Sequence, residues 1–237
     1  MSENIRRGYV PTDERDFSDK MLPMLKRALS DIHEFLDRGY EVKKVSTFVG
    51  NHYQLSERQR LALARAATET EKIRMRRQKQ KTVPDGTVYI DGLNLMITLE
   101  SAICGTTVYR CMDGTVRDLA AMRGTYRIIE STHTAAALVM DKLECVGAES
   151  VKFFLDAPVS NTGRLKTLLL EMAEGHTFTT ECELVPNADV MLYGLPNVVT
   201  SDAIILNECE SWLNFAAEII DESLHDTRVL DFSLVDD

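Results

Sequence analysis

At 237 residues the chain suits one large domain or two small ones, and its 44% hydrophobic and 27% charged residues are those of an ordinary globular protein with a sizeable core. No run of about eighteen apolar residues marks a membrane span and no signal-peptide pattern opens the chain; five scattered cysteines without a CxxC pair point to a cytoplasmic location, and five dispersed histidines argue against zinc. The net charge of −10 is uneven: residues 1–81 hold 18 Lys+Arg against 12 Asp+Glu, and the remainder holds 9 against 25, as if an anion-binding segment were joined to a carboxylate-rich one.

Residues 1–15 read as a polar arm. Phe17, Met21, Leu25, Leu29, Ile32 and Phe35 then recur at helical spacing up to Gly39, with Pro23 in the first turn or at a kink. A short helix is expected over 42–49. Ser56 and Gln59 form a capping-box pattern that opens a third helix, running from 57 to about 80. Its end carries Lys72, Arg74, Arg76, Arg77 and Lys79, which could hold a nucleic-acid backbone or simply solvate a connecting helix. No aromatic residue interleaves with them, so this segment does not predict base stacking. Val83-Pro84-Asp85-Gly86 is turn chemistry, and it divides a basic helical region (1–82) from an α/β region (83–237).

Val88, Tyr89 and Ile90 run as a strand into Asp91, and a helix resumes over 93–103. Asp113-Gly114 between two strand-like runs predicts a hairpin, which makes Asp113 a turn residue rather than a catalytic one. A long helix is expected over 118–145; it would bury His133 on its apolar face and place Arg123 near its start, facing a site or solvent. A second strand, 151–156, ends in Asp156. Ser160 to Gly163 then open a helix bearing Arg164 and Lys166, a natural seat for phosphate and equally an ordinary cap. The strand over 178–185 leads to Asp189 in the first turn of a helix, and the strand over 197–201 ends at Asp202. A final amphipathic helix carries Ile205, Cys209, Trp212, Ala216 and Ile219, and residues 228–234 read as a last strand.

Alternating strands and helices predict a Rossmann-like α/β fold with a mainly parallel sheet and an N-terminal all-α segment. The carboxyl edge of that sheet would gather Asp91, Asp156, Asp189 and Asp202. Crowded carboxylates repel one another, so a divalent cation would relieve them. Hard oxygen ligands without histidine or cysteine point to Mg²⁺ or Mn²⁺, which can activate water and stabilise phosphoryl charge. The plain alternative is that each aspartate caps its own helix.

The strand-Asp91-Gly92-Leu93-Asn94 motif, Asp156, Asn187-Ala188-Asp189-Val190 and Val199-Thr200-Ser201-Asp202 together resemble the successive acidic motifs of the PIN-like nuclease superfamily, nearest its NYN branch, over residues 87 to about 222. The stretch from Ser56 to Arg65 with its basic continuation resembles the N-terminal part of a prokaryotic family, domain of unknown function 434. The first resemblance implies Mg²⁺- or Mn²⁺-dependent RNA hydrolysis. It casts Asp91, Asp189 and Asp202 as catalytic metal-binding acids, with Asp156 a looser match. Asn94 matches the family's asparagine after the first acid, and Thr200 and Ser201 the small polar pair before the last, where they would position substrate; from their own placement at helix starts, Arg123, Arg164 and Lys166 are expected to help position it. Many relatives carry a further acid two residues after the last aspartate; Ile204 stands there instead. The expected partner is RNA and not a membrane, with a homo-oligomer left open. A non-catalytic RNA-binding or scaffold protein on the same fold is the competing reading, and a phosphohydrolase of small phosphorylated molecules at 160–166 a third.

Overall fold

The computed structural model describes residues 6–120 and 124–233. Helices dominate up to Lys79: α1 (Asp13–Asp16), α2 (Leu22–Asp37), α3 (Val42–His52), α4 (Glu57–Ala66) and α5 (Thr70–Lys79). Pro23 lies in the first turn of α2, where its missing N–H costs nothing. The capping box of α4 forms as its sequence demands, with the Gln59 N–H on Ser56 Oγ at 3.2 Å and the Ser56 N–H on Gln59 Oε1 at 2.9 Å.

The single helix expected over 57–80 is two helices. Ala67 and Glu69 are extended, although no glycine or proline falls between Ala66 and Thr70. The break has a tertiary cause. The last carbonyls of α4 turn outwards to other partners: the Met112 N–H donates to Ala66 O at 3.1 Å and the Arg117 guanidinium to Arg65 O, while His33 Nδ1 contacts Thr68 O at 2.8 Å.

The rest of the chain builds two sheets. Strands β1 (Gln80–Lys81), β2 (Val88–Asp91), β5 (Ser150–Asp156), β6 (Thr179–Val185), β7 (Val198–Val199) and β8 (Trp212–Leu213) form a parallel sheet in the order β1-β8-β7-β2-β5-β6. Strands β3 (Val108–Arg110), β4 (Val116–Arg117) and β9 (Val229–Asp231) form a second, mixed sheet. The connecting helices are α6 (Gly92–Ile103), α7 (Glu130–Cys145), α8 (Thr162–Ala173), α9 (Ala188–Leu192), α10 (Ala203–Glu208) and α11 (Phe215–Ser223).

Alternate side chains of the large sheet serve opposite faces. Ile90, Phe153 and Leu155 pack with α6, α7, α8 and α11, whereas Phe154, Val198 and Trp212 pack with α9 and α10. The result is a Rossmann-like α/β fold preceded by a helical segment. The N-terminal helices have no separate core: Leu25, Ile32, Leu63 and Ile73 pack with Tyr109, Met112, Leu230 and Phe232 of the small sheet and its turn.

Three expectations differ from the structure in detail. The helix expected from 118 begins only at Glu130; Gly124 takes φ +69°, and Thr125 and Ser160 form a short parallel bridge in which the Tyr126 N–H donates to Ser160 O and the Ser160 N–H to Gly124 O. His133 is exposed and belongs to no core. The final amphipathic helix is α10, β8 and α11, because Trp212 is buried as a strand residue between β7 and β1 rather than on a helix face. Among the described residues no helix is long and apolar enough to cross a membrane.

Candidate functional site

Strand order places the acids. From β2 the chain moves outward to β5 and β6, then returns to the other side of β2 as β7, so the carboxyl ends of β2 and β7 flank a topological switch point, where open α/β sheets bind ligands. Asp91 ends β2 and caps α6, with the Asn94 N–H on its Oδ1 at 3.4 Å. Gly92 follows because the β2–α6 turn presses on β5: a Cβ there would stand 2.6 Å from Leu155 Cδ2 and 3.2 Å from Phe154 O.

Thr200 follows β7 and joins the first acidic motif to the last. Its hydroxyl donates to Asp91 Oδ2 at 2.9 Å and accepts from the Asp202 N–H at 3.0 Å. Asn94 Oδ1 accepts from both the Ser201 N–H and the Ser201 hydroxyl, at 2.8 and 2.9 Å. Asp202 caps α10, its Oδ1 accepting from the N–H groups of Ile204 and Ile205 at 2.7 and 3.2 Å. Asp156 ends β5 and accepts the Ala188 N–H at 2.8 Å, which anchors the start of α9 and with it Asp189.

The carboxylates influence one another. Burial raises the Asp91 pKa to about 7, assisted by the charges of Asp189 and Asp202 and opposed by the Thr200 hydrogen bond. Asp189 is raised as well, first by burial and then by Asp202 and Asp156. Among the described residues no lysine or arginine forms an ion pair with any of the four. The donors are therefore hard oxygens without a direct ion-pair partner, a set suited to Mg²⁺ or Mn²⁺, although the charges of Arg117 and Asp202 reach one another. Their side chains are not drawn into a cage: among the described residues, no group of three or more His, Cys, Asp or Glu is gathered closely enough to hold an ion. Each aspartate except Asp189 is also hydrogen-bonded to the start of a helix, so capping and convergence on one edge are properties of the same residues.

A second cluster, unread in the sequence, ties this edge to the N-terminal helices. Asp113 holds the β3–β4 hairpin turn through hydrogen bonds from the Thr115 N–H and hydroxyl, and it is also the centre of a buried ion triad. Arg76 Nη1 and Arg117 Nη2 approach Asp113 Oδ2 at 2.5 and 2.6 Å. Burial opposes the Asp113 charge, but the two arginines and Thr115 hold its pKa below the usual range. Arg117 Nε then donates to Ser201 O at 2.7 Å, and Arg76 Nη2 to Ala203 O at 3.0 Å, so both arginines fix the loop that presents Asp202.

The basic residues of α5 are thus divided. Arg76 is buried, and Lys79 Nζ donates to the carbonyls of Asn207 and Cys209 at 2.7 and 2.8 Å, so these two dock on the acidic region. Lys72 and Arg74 pair with Glu69 and Glu71 on the surface, and Arg77 is exposed. Arg164 is exposed and Lys166 half-buried on α8, neither in ion-pair contact with the acids; Arg123 lies outside the described residues. A cleft of about 830 Å³ opens beside Asn94 and Ser201–Asp202, walled on its far side by α2, α4 and α5.

Comparison with known proteins gives two family matches that meet between residues 79 and 80. Residues 24–79 match the family described as "Protein of unknown function (DUF434)", in agreement with the resemblance of the N-terminal segment, and residues 80–218 match "Domain of unknown function (DUF5616)". The chain is 31% identical over 185 residues to "Uncharacterized protein MJ0935" of Methanocaldococcus jannaschii, covering 77% of this chain and 88% of that one. No solved structure matches. By the extent of these matches, the chain belongs to the DUF5616 family, and residues 24–79 before that domain are similar to the DUF434 family.

Proposed function

We propose that the chain is a Mg²⁺- or Mn²⁺-dependent RNA phosphodiesterase on a PIN-like α/β domain. The observation that supports it most is the joining of Asp91 and Asp202 through the Thr200 hydroxyl at the switch point, with Asp189 and Asp156 close enough for their charges to be felt. Asp91, Asp189 and Asp202 would hold the ion, with Asp156 at the margin. When bound, such an ion lowers the pKa of water and neutralises charge that develops on a phosphoryl group. The protein's own share is orientation. Thr200 fixes the Asp91 carboxylate, and Arg117 and Arg76 hold the loop carrying Asp202. Ser201 occupies Asn94 Oδ1, which leaves the Asn94 amide N–H group as the donor this residue can offer a substrate. A cytosolic setting belongs to the same reading, supported by five free cysteines.

Purified protein should cleave single-stranded or structured RNA in Mn²⁺, and Asp91→Asn or Asp202→Asn should abolish cleavage without loss of fold. Unchanged cleavage in both variants contradicts the assignment. A second reading, an RNA-binding protein without catalysis, rests on Ile204, which stands 57% exposed beside Asp202 where an acid would complete the set. It predicts salt-sensitive RNA binding with no cleavage in any metal.

A further inference from the structure

The cleft beside Asp202 exists only because the two parts of the chain are joined. Residues 39–42, Arg65 and Lys72 form one wall, and Asn94, Asp118 and the Ser201–Asp202 loop form the other. Its volume of about 830 Å³ lies within the usual range of ligand sites. Tyr40 stands at the helical side, 57% exposed, immediately after Gly39 at φ +84°. Its ring packs edge-on against Phe35, with centroids 5.5 Å apart, and its backbone N–H donates to Phe35 O at 3.1 Å, so the ring is supported on one side and otherwise faces solvent. Lys72 lines the same cleft with its side chain 46% exposed despite the ion pair to Glu69, and Arg65 is anchored there by donating to Asp118 O at 2.6 Å.

Glu41, Glu69 and Asp118 line the cleft as well, so its charge is mixed. An open aromatic ring, the cations Arg65 and Lys72 and an amide donor, leading to an acidic edge, suit a strand that offers a bare base face at one end and phosphates along its length. We infer that this cleft binds a short single-stranded stretch of RNA, one base stacked on Tyr40 and the backbone passing Lys72 and Arg65 towards Asn94 and Asp202. The inference rests on the RNA reading above and names the strand's path. It also gives the helical segment a role in substrate binding that does not depend on Arg76 or Lys79, both already engaged within the chain. A base-paired strand cannot present a free base face to Tyr40.

The test is fluorescence anisotropy of a labelled single-stranded oligoribonucleotide with the full chain in EDTA, so that binding is read without cleavage. Tyr40→Ala should weaken binding about tenfold, Tyr40→Trp should retain it, and Lys72→Gln should lower the salt dependence by about one counterion. Wild-type affinity in Tyr40→Ala, equal affinity for a duplex of the same sequence, or no binding of either would overturn the inference. The two readings fail separately. Tyr40-dependent binding in a protein that cleaves nothing in any metal keeps the cleft and removes the nuclease. Cleavage by Tyr40→Ala with an unchanged KM keeps the nuclease and removes the cleft.

Discussion

Asp91 concentrates the energetic tension of the site. Its carboxyl titrates near 7 in the folded chain, against about 4 for an ordinary aspartate in the unfolded one. The folded state therefore binds that proton more tightly. The stability this contributes is complete below the unfolded value and is lost as pH rises through the folded one, an upper bound of roughly 4 kcal/mol. Asp91→Asn should remove this dependence, so thermal melts should show the variant above wild type at about pH 8 and close to it near about pH 4. Equal pH profiles would contradict the burial of an uncompensated charge. Thr200→Val removes the hydroxyl that orients Asp91, and metal affinity should fall about 10–100-fold, as for other groups that orient a ligand, measurable by Mn²⁺ titration. Asp91 was legible because a strand running into an aspartate is a local pattern; Asp202, expected to end a strand, instead caps α10 three residues after β7 stops at Val199. Asp113 was legible only as a turn: its partners Arg76 and Arg117 approach from other elements, and nothing local to the hairpin announces Arg76.

At the scale of elements, the junction between α5 and the acidic edge is the part that local pattern could not supply. The break after α4 arises because Met112 and Arg117 take the carbonyls that would have continued it. Strand β8 was hidden for a related reason: Ile205, Cys209, Trp212, Ala216 and Ile219 are all buried, but by α10, β8 and α11 in turn, so a period of three to four residues arises from three different elements. Capping boxes, the Asp-Gly hairpin and the strand into Asp91 were readable because each is settled within a few residues. Arg76→Ala should test the junction. It leaves a buried Asp113 with one arginine and strips donors from Ala203 O and Asn207 Oδ1, so a loss of about 3–5 kcal/mol is expected in denaturant unfolding. A loss below about 1 kcal/mol would show that the triad does not hold the two parts together.

For the whole molecule, helices and α/β domain form one packing unit although two families meet between residues 79 and 80. Leu63 and Ile73 share a core with Tyr109 and Phe232, and β1 extends the edge of the large sheet beside β8. The full chain should therefore unfold in a single transition followed equally by circular dichroism and by the fluorescence of Trp212, which donates its Nε1–H to Arg76 O at 2.7 Å. Two separated transitions would show independent domains. The same union makes the cleft and steadies the loop of Asp202, so the helical segment and the acidic edge act together in the proposed chemistry. The most direct test of that chemistry is electron paramagnetic resonance of Mn²⁺ titrated into wild type, Asp91→Asn and Asp202→Asn. The account predicts a bound Mn²⁺ population in the wild type that is lost in both variants; no bound Mn²⁺ in the wild type, or equal binding in all three, would contradict it.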